Sequence, residues 1–400
     1  MMRRIQFWQR LWEDFARKNF PEIQGLLLRR YPGFVWGNDR PLANPQAPVF
    51  AFHRVDPDVF ERQLQFLAEN GYRSLDADTF LACLEGRLPW PERAVLLTFD
   101  DGRASLWTVA YPLLKRYGFV GVAFLPAGLI HQEESVGPNL EDVSRGRVSL
   151  EEVLAREEGD RPFVTWGEVR RMAAAGVLEP QSHGTYHHLV FRSDALEDFL
   201  HPGTPLHAEG TRIPRFRGLW DAAGQIRWGL PLYPGAPRLS EARAYVPDAR
   251  VVERCTRTVA EEGGEAFFQR PGWRKRLYRQ WRPEGRYESE AERRKGLLEE
   301  LALSREIIQG AVPGARVRHL CYPYYQGSRL AMEISRTVGY KSNFWGVLDR
   351  RAWGSAYRIP RLGDMYLWRL PGRGRVPLRT LLLRHAQVHG PKLLARLRGA

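Results

Sequence analysis

The sequence predicts an α/β protein whose strands form a parallel sheet or barrel. Two observations support this class. Predicted strands and amphipathic helices alternate along the chain, as they do in folds built from strand–helix–strand units. The chain is also long enough, since its 400 residues are 44% hydrophobic and α/β barrels with insertions reach this length.

The individual elements follow from apolar spacing and from the residues that end each run. Helices are predicted at 60–71, 80–84, 106–117, 166–175, 288–308 and 332–337, several of them ended by a glycine. Strands are predicted at 94–97, 120–125, 318–323 and 344–348, with another that leads into the histidines near 183.

Two adjacent carboxylates, Asp100 and Asp101, follow the buried strand at 94–97 and precede Gly102. In α/β folds, functional side chains collect where parallel strands end. Neighbouring acids repel each other, so their pKa values separate unless a cation lies between them. One acid can then bind a metal while the other serves as a base. Because Asp-Gly is also common turn chemistry, a plain turn is the alternative interpretation.

Three of the ten histidines, His183, His187 and His188, lie within six residues. A spacing of four would place the first two on the same side of a helical turn, where both can bind one transition metal. Together with one carboxylate they would form a site that leaves positions for water and substrate. A lone histidine is more often a packed core residue, but this density favours a metal site.

Several short motifs together resemble the polysaccharide deacetylase family, the NodB-homology proteins similar to carbohydrate esterase family 4. The segments that carry the resemblance are 98–102 (TFDDG), 182–187 (SHGTYH), 321–324 (CYPY), the first strand at 49–55 and the last strand at 358–362. The similarity spans roughly 46–130, 162–190 and 300–365. It implies a distorted (β/α) barrel of the NodB-homology type with a large insertion and helical terminal extensions.

The resemblance also implies roles for the residues of the first two motifs. Asp100 is expected to be the general base, and Asp101, His183 and His187 are expected to bind a divalent metal. His188 is the alternative metal ligand, because it lies one residue from the matching position. Zn²⁺ is the expected metal, and Co²⁺, Ni²⁺ or Fe²⁺ would suit the same ligands.

The remaining site residues are also implied by the resemblance. Tyr322, Pro323 and Tyr324 are expected to line the substrate groove, with Tyr324 near the oxyanion. The family's usual acid, a histidine in a late Leu-x-His motif, has no good match here. After Pro323 only His385 and His389 follow, both in the basic tail. His53 is therefore the candidate for a catalytic role near the metal, and Arg361 is expected to orient the base.

The expected organisation is a barrel at 46–370, preceded by an amphipathic helical extension and linker at 1–45 and followed by a basic amphipathic tail at 371–400. Insertions are expected at about 131–160 and 190–290. The second insertion is rich in aromatic residues, unlike a disordered linker, and is predicted to form an ordered wall of the cleft. Its Trp220, Trp228 and Tyr233 could stack on sugar rings, although core packing is favoured for each.

The net charge of +14 is concentrated at the two ends of the chain. Residues 350–400 carry twelve Lys and Arg against one acid, and residues 1–40 carry eight against four. Basic amphipathic helices could contact an anionic bilayer or a lipid-linked phosphate. A helix packed on the barrel and a solvated basic face are the alternatives. Nucleic-acid binding would rest on charge alone and is not expected.

No secretion signal or membrane-spanning run is predicted, so we expect a cytoplasmic protein that could lie on the inner membrane face. Three widely spaced cysteines argue against a disulfide framework. The expected function is a metal-dependent hydrolase that removes an N-acyl group, most simply N-acetyl, from a glycan or lipid-linked glycan precursor. The alternative is a catalytically silent carbohydrate-binding pseudoenzyme on the same fold, which the missing acid histidine would favour.

Overall fold

The computed structural model describes residues 25–37, 47–208, 211–347 and 354–384. The described strands are β1 (Val49–Phe52), β2 (Arg73–Ser74), β3 (Ala94–Phe99), β4 (Gly121–Leu125), β5 (Leu178–Ser182), β6 (Leu189–Phe191), β7 (Asp198–Phe199), β8 (Pro231–Leu232), β9 (Gly235–Pro237), β10 (Tyr245–Pro247), β11 (Gly285–Tyr287), β12 (His319–Cys321), β13 (Ser342–Phe344) and β14 (Leu362–Gly363).

The described α-helices are α1 (Pro57–Glu69), α2 (Ala77–Leu84), α3 (Tyr111–Tyr117), α4 (Leu140–Ser144), α5 (Leu150–Ala155), α6 (Trp166–Ala174), α7 (Ala249–Glu261), α8 (Trp273–Gln280), α9 (Glu290–Ala311) and α10 (Arg329–Val338). A π-helical turn at Leu106–Ala110 runs directly into α3. All six helices predicted from apolar spacing are present, and their ends differ from the prediction by a few residues.

The main sheet is parallel and follows the order β13-β12-β5-β4-β3-β1-β14, with β2 beside β3. From β3 to β13, the strands of this sheet have the same order in space as along the chain, namely β3, β4, β5, β12 and β13. This is the connectivity of a (β/α) barrel. The last strand returns to the first, since Leu362 lies opposite Phe50. Just before it, Ile359 pairs in parallel with Phe344 of β13. The predicted distorted (β/α) barrel is confirmed.

Alternate residues of the barrel strands enter two different cores. In β3, Val95 and Leu97 belong to the large cluster that the outer helices cover. Ala94 and Leu96 belong to a smaller cluster with residues of β1, β4, β12 and β13. The same alternation places Thr98 and Asp100 on the side of Leu96, and both are buried. The strand therefore carries Asp100 inward, toward the mouth of the barrel.

The polar strand β13 lies two residues earlier than the predicted strand at 344–348 and ends at Phe344. Apolar spacing misplaced it because two of its three residues are polar. Ser342 and Asn343 are fully buried and stay satisfied by hydrogen bonds, Ser342 with His319 and Asn343 with Ser335. The strand is thus stabilised by a buried polar network that hydrophobicity does not reveal.

The region predicted as a large insertion, 190–290, folds as short strands and two helices over its own apolar clusters. Tyr233 is buried and accepts a hydrogen bond from the indole N–H of Trp281. Trp220 and Trp228 are partly buried and pack against the same clusters. Core packing, the favoured role for these three aromatic residues, is what their contacts indicate.

Parts of the sequence prediction lie outside the described residues. They are the predicted amphipathic helix before residue 25, most of the linker, and the end of the basic tail with His385 and His389. Among the helices within the described ranges, none combines the length and apolar composition that crossing a lipid bilayer requires.

Replacing Glu168 by alanine is expected to lower the free energy of unfolding by about 3–5 kcal/mol. Its buried carboxylate binds Arg156 and accepts the backbone N–H groups of Thr165 and Gly137. The variant leaves a cation and two N–H groups without this partner. Urea unfolding measures the change. The exposed acid Glu151 of α5 is the control, with an expected change of about 0.5 kcal/mol or less. Equal stability of E168A and wild type would contradict this account.

Candidate active site

The candidate site lies at the carboxyl ends of the barrel strands. His53 follows β1, Asp100 and Asp101 follow β3, His183 follows β5, and Tyr322 follows β12. Because these strands are parallel and adjacent, their ends meet at one mouth of the barrel. Residues that are far apart in the sequence are therefore brought together here.

The two adjacent acids face different surroundings because the chain turns sharply between them. Asp100 continues the sheet, and its N–H donates to the carbonyl of Phe52 at 2.8 Å. Asp101 has a φ of 68° and Gly102 a φ of 58°, both in the left-handed region. A non-glycine residue held there stores strain of about 1–3 kcal/mol. The turn points Asp100 toward Arg361 and Asp101 toward the histidines.

Asp100 forms a buried ion pair with Arg361. The guanidinium donates to both carboxylate oxygens, each at 2.7 Å, and one nitrogen also donates to Thr98 Oγ1 at 3.1 Å. Burial alone would raise the pKa of Asp100, but Arg361 and His183 outweigh it and lower that pKa below its usual range. Asp100 is therefore ionised at neutral pH.

Asp101, His183 and His187 converge as three buried donors. Asp101 Oδ1 lies 3.5 Å from His183 Nε2 and 3.3 Å from His187 Nε2. His183 Nδ1 lies 2.9 Å from the carbonyl of Cys321, which orients the ring and leaves Nε2 to face Asp101. Two imidazoles and one carboxylate are a donor set that divalent transition metals favour.

An unsatisfied carboxylate oxygen of Asp101 supports the fit of a cation among these three side chains. Asp101 Oδ1 is buried and has no hydrogen-bond partner within the described part of the chain. The Nε2 atoms of His183 and His187 lie 3.5 and 3.3 Å from it. A buried carboxylate oxygen without a partner is costly, and a cation between the three donors would satisfy it.

The protonation of the two histidines differs. Burial lowers the pKa of His187 to about 4, so this imidazole is neutral at physiological pH and offers a lone pair. Burial also disfavours charge on His183, but the Cys321, Asp100 and Asp101 groups around it outweigh burial and raise its pKa. A metal would therefore compete with a proton at His183.

The prediction that His183 and His187 share a helical turn is wrong. The strand β5 ends at Ser182, and the N–H of His183 donates to the carbonyl of Leu125 at 2.9 Å. The chain then turns through Gly184, with a φ of 75°, and His187, with a φ of 51°. A tight turn satisfies a spacing of four as well as a helix does.

His188, the alternative ligand, is not part of the converging group. The described residues that meet at this point are Asp101, His183 and His187. The ring of His188 instead lies 6.0 Å from that of Tyr186, and burial together with Arg217 and Arg238 lowers its pKa to about 3. Its neighbour His187 therefore occupies the position nearest Asp101.

The third motif lies beside the histidines, but its residues are not equally accessible. Tyr324 packs its ring 4.5 Å from that of His187, and its hydroxyl donates to the carbonyl of His187 at 3.4 Å. Tyr322 and Pro323 are buried, and the Tyr322 hydroxyl contacts Asn343 inside the fold. The expectation that Tyr322 lines the groove is not met, because the alternation of β12 turns Cys321 into the barrel and Tyr322 to the opposite side, into the core under the outer helices.

His53 lies at the open side of the site. Its Nε2 is 3.8 Å from Asp100 Oδ2, and 43% of its side chain is exposed. Its ring edge faces Tyr325, with the ring centroids 5.7 Å apart. Of the residues at this mouth, His53 combines contact with Asp100 and access to solvent.

Sequence reasoning missed two residues at this mouth. Tyr325 has a φ of 61° and lies over the Arg361 guanidinium at 5.1 Å, so it covers the ion pair. Cys321 Sγ is 3.7 Å from Asp100 Oδ2 and is buried. Both lie in or next to the CYPY segment. Cys321 belongs to the predicted strand at 318–323, so the alternation of that strand could have indicated that its side chain points into the barrel. Nothing in the pattern indicated Tyr325.

Replacing Arg361 by methionine is expected to lower the free energy of unfolding by about 3–5 kcal/mol, because it leaves the Asp100 carboxylate buried without its cation. Urea unfolding of metal-free protein at pH 7 measures the loss. The matched control is Arg358→Met at a nearby exposed position, with an expected change of about 0.5 kcal/mol or less. Similar losses in the two variants would show that the ion pair contributes nothing specific.

Two comparisons with known proteins show what the segment around this site is similar to. Residues 88–199 match the family model described as polysaccharide deacetylase, and they contain both acids and all three clustered histidines. The poly-beta-1,6-N-acetyl-D-glucosamine N-deacetylase of Escherichia coli (strain K12) is 30% identical over 187 residues, which are 45% of this chain and 25% of that protein. The chain thus spans about a quarter of that relative's length.

Solved structures overlap with the fold in part. A de-N-acetylase from Aggregatibacter actinomycetemcomitans has a TM-score of 0.47 at 20% identity, covering 79% of this chain and 94% of that chain. The BpsB deacetylase domain from Bordetella bronchiseptica has a TM-score of 0.48 at 18% identity, covering 80% and 96%. The fold assignment rests on the sheet topology described above. Residues 88–199, less than half of the chain, are thus similar to the polysaccharide deacetylase family, in agreement with the motifs of the sequence.

Proposed function

We propose that the protein is a hydrolase that removes N-acetyl groups from the sugars of a polysaccharide. The observation that supports the proposal is that two adjacent acids, Asp100 and Asp101, have different partners. Asp100 is held by a guanidinium, whereas Asp101 faces two imidazole nitrogens. One dipeptide thereby offers a base and a metal ligand within a single buried site.

Asp101, His183 and His187 would hold a divalent cation, for which Zn²⁺ is our first choice and Co²⁺, Ni²⁺ or Fe²⁺ the alternatives. When bound, the cation supplies Lewis acidity toward the acyl carbonyl and the attacking water. Burial of all three side chains keeps competing bulk water away from them.

Asp100 is the proposed general base. Its ionised carboxylate takes the proton of the water that attacks the acetyl carbonyl, and Arg361 keeps that carboxylate charged and oriented. The carbon–nitrogen bond then breaks, and acetate and the free amine leave. Tyr324, packed on His187, is placed to line the groove beside the acyl group.

His53 is the proposed donor of the proton that the leaving amine requires. It touches Asp100 at 3.8 Å from the solvent side, so a proton can reach the leaving nitrogen without crossing the buried core. This assignment fills the role of the late family histidine, for which the chain has no good match. The intact acids and histidines favour this enzyme over the silent binding module.

The proposed substrate class is a polymer of N-acetylated amino sugar, or a lipid-linked precursor of one. The relative from Escherichia coli bears poly-β-1,6-N-acetyl-D-glucosamine in its name, and the aligned segment is 30% identical.

We further propose that the barrel at 46–370 has terminal extensions at 1–45 and 371–400, with the 190–290 insertion as a wall of the cleft. The basic ends would contact anionic lipids at the inner membrane face.

Replacing Asp100 by asparagine is expected to lower the rate of acetate release from β-1,6-linked N-acetylglucosamine oligomers by about 10²–10⁴-fold. The amide keeps the shape of the carboxylate and cannot accept the proton. Acetate release and the appearance of free amines measure the rate with Zn²⁺ supplied. A D100N rate equal to the wild-type rate would contradict the base assignment. Oligomer binding by wild type without any release would favour the silent binding module.

Replacing His53 by alanine is expected to slow amide substrates by about 10²-fold and to leave an activated aryl acetate within a few-fold of wild type. An amine must be protonated to leave, whereas a nitrophenolate leaves without a proton. Rates on an N-acetylglucosamine oligomer and on 4-nitrophenyl acetate measure the difference. His207→Ala, within the insertion, is the matched control and should alter neither rate. Equal losses on both substrates would remove the proton-donor role.

A further inference from the structure

The turn that carries the metal-site histidines rests on a side chain outside every recognised motif. We define the histidine loop as residues 182–188, and several of its residues form hydrogen bonds with helix α9. The helix turns Leu297, Leu301 and Ile308 into the main core. Two polar residues, Glu300 and Ser304, are buried on the same face of the helix.

Glu300 binds the centre of the histidine loop. One carboxylate oxygen, Oε1, accepts the backbone N–H of Thr185 at 2.9 Å and that of Tyr186 at 3.0 Å. The Thr185 hydroxyl donates back to the backbone carbonyl of Glu300 at 2.6 Å. Three hydrogen bonds thus connect one helix position to the two residues that precede His187.

Ser304 binds the start of the same loop from one helical turn further on. Its hydroxyl lies 2.7 Å from that of Ser182 and also contacts the carbonyl of Gly184 at 2.9 Å. The helix therefore holds the loop on both sides of His183, at Ser182 and at Gly184.

The loop needs these partners because its backbone is strained. His187 has a left-handed φ of 51°, which is strained for a residue with a side chain, whereas Gly184 adopts its φ of 75° at little cost. The chain leaves the regular ladder at both points. Its carbonyls do bind backbone, since Ala127 and Gly128 donate to residues 184 and 185. The N–H groups of Thr185 and Tyr186 find their acceptor in Glu300, and buried N–H groups require one.

We propose that Glu300 is a positioning residue of the metal site, which acts through the histidine loop to keep His187 Nε2 at Asp101. The carboxylate is not part of the converging donor group itself. Removing it frees two N–H groups at once, and the loop can then relax toward unstrained backbone angles and carry His187 away. The inference rests on the proposed function, because it presumes that Asp101, His183 and His187 hold a metal.

The test is the affinity for Zn²⁺, measured on the full chain by competition with a chromophoric chelator. Glu300→Ala is expected to weaken binding about 10–100-fold, the loss typical when the support of a ligand is removed. Glu300→Gln is expected to restore affinity to within a few-fold of wild type, since its amide oxygen can accept both N–H groups. The exposed neighbour Glu299→Ala on the same helix is the matched control, with wild-type affinity.

Thermal unfolding of the metal-free proteins shows whether each variant folds. If E300A does not fold, Glu300→Asp replaces it, because the shorter side chain withdraws the carboxylate from the loop and should weaken Zn²⁺ binding as well. A folded E300A, or E300D in its place, with wild-type affinity would overturn the inference and leave the proposed function intact. A wild-type protein that binds no Zn²⁺ would overturn both.

Discussion

The buried ion pair between Arg361 and Asp100 is the interaction on which the site depends. Two carboxylates side by side in a barrel mouth repel each other, and without a cation at least one would take up a proton. Arg361 meets both oxygens of Asp100 and leaves Asp101 as the acid that faces the histidines. Arg361 lies in the 359–363 segment that pairs with β13 and β1. Asp100 therefore meets its guanidinium partner through the segment that closes the barrel.

Several residues with strained backbone angles lie around this ion pair. Seven non-glycine residues in the described ranges have left-handed φ values, and four of them, Asp101, His187, Tyr324 and Tyr325, line the candidate site. Each such residue costs about 1–3 kcal/mol, so the surrounding contacts must maintain these angles. Hydrogen bonds from α9 support the loop that carries His187, and the Tyr324 hydroxyl donates to the carbonyl of His187. Donors fixed in this way need little rearrangement during the reaction.

The alternation of strands and helices and most of the residues at the barrel mouth could be predicted from the sequence, because both depend on local patterns. Tyr325 and Cys321 at the same mouth were missed. Apolar runs ending in polar residues located the strand ends at Asp100 and His183. The sequence did not reveal the form of the histidine turn, the polar strand β13 or the burial of Tyr322. Each of these features depends on tertiary contacts, which determine the side chains that become buried. Glu300 was invisible for the same reason, since a glutamate in a charged helix is usually solvated.

The most direct test of the account is the metal content of the purified protein, measured by elemental analysis in wild type, Asp100→Asn and Asp101→Asn. Both substitutions remove one negative charge and keep the shape of the side chain. D100N also leaves the Arg361 guanidinium without its carboxylate, so urea unfolding first establishes that each variant is folded. The account predicts one divalent metal per chain in wild type and D100N, and a large loss in D101N. Equal metal content in D100N and D101N, or no metal in wild type after loading with Zn²⁺, would contradict the division of roles between the two acids.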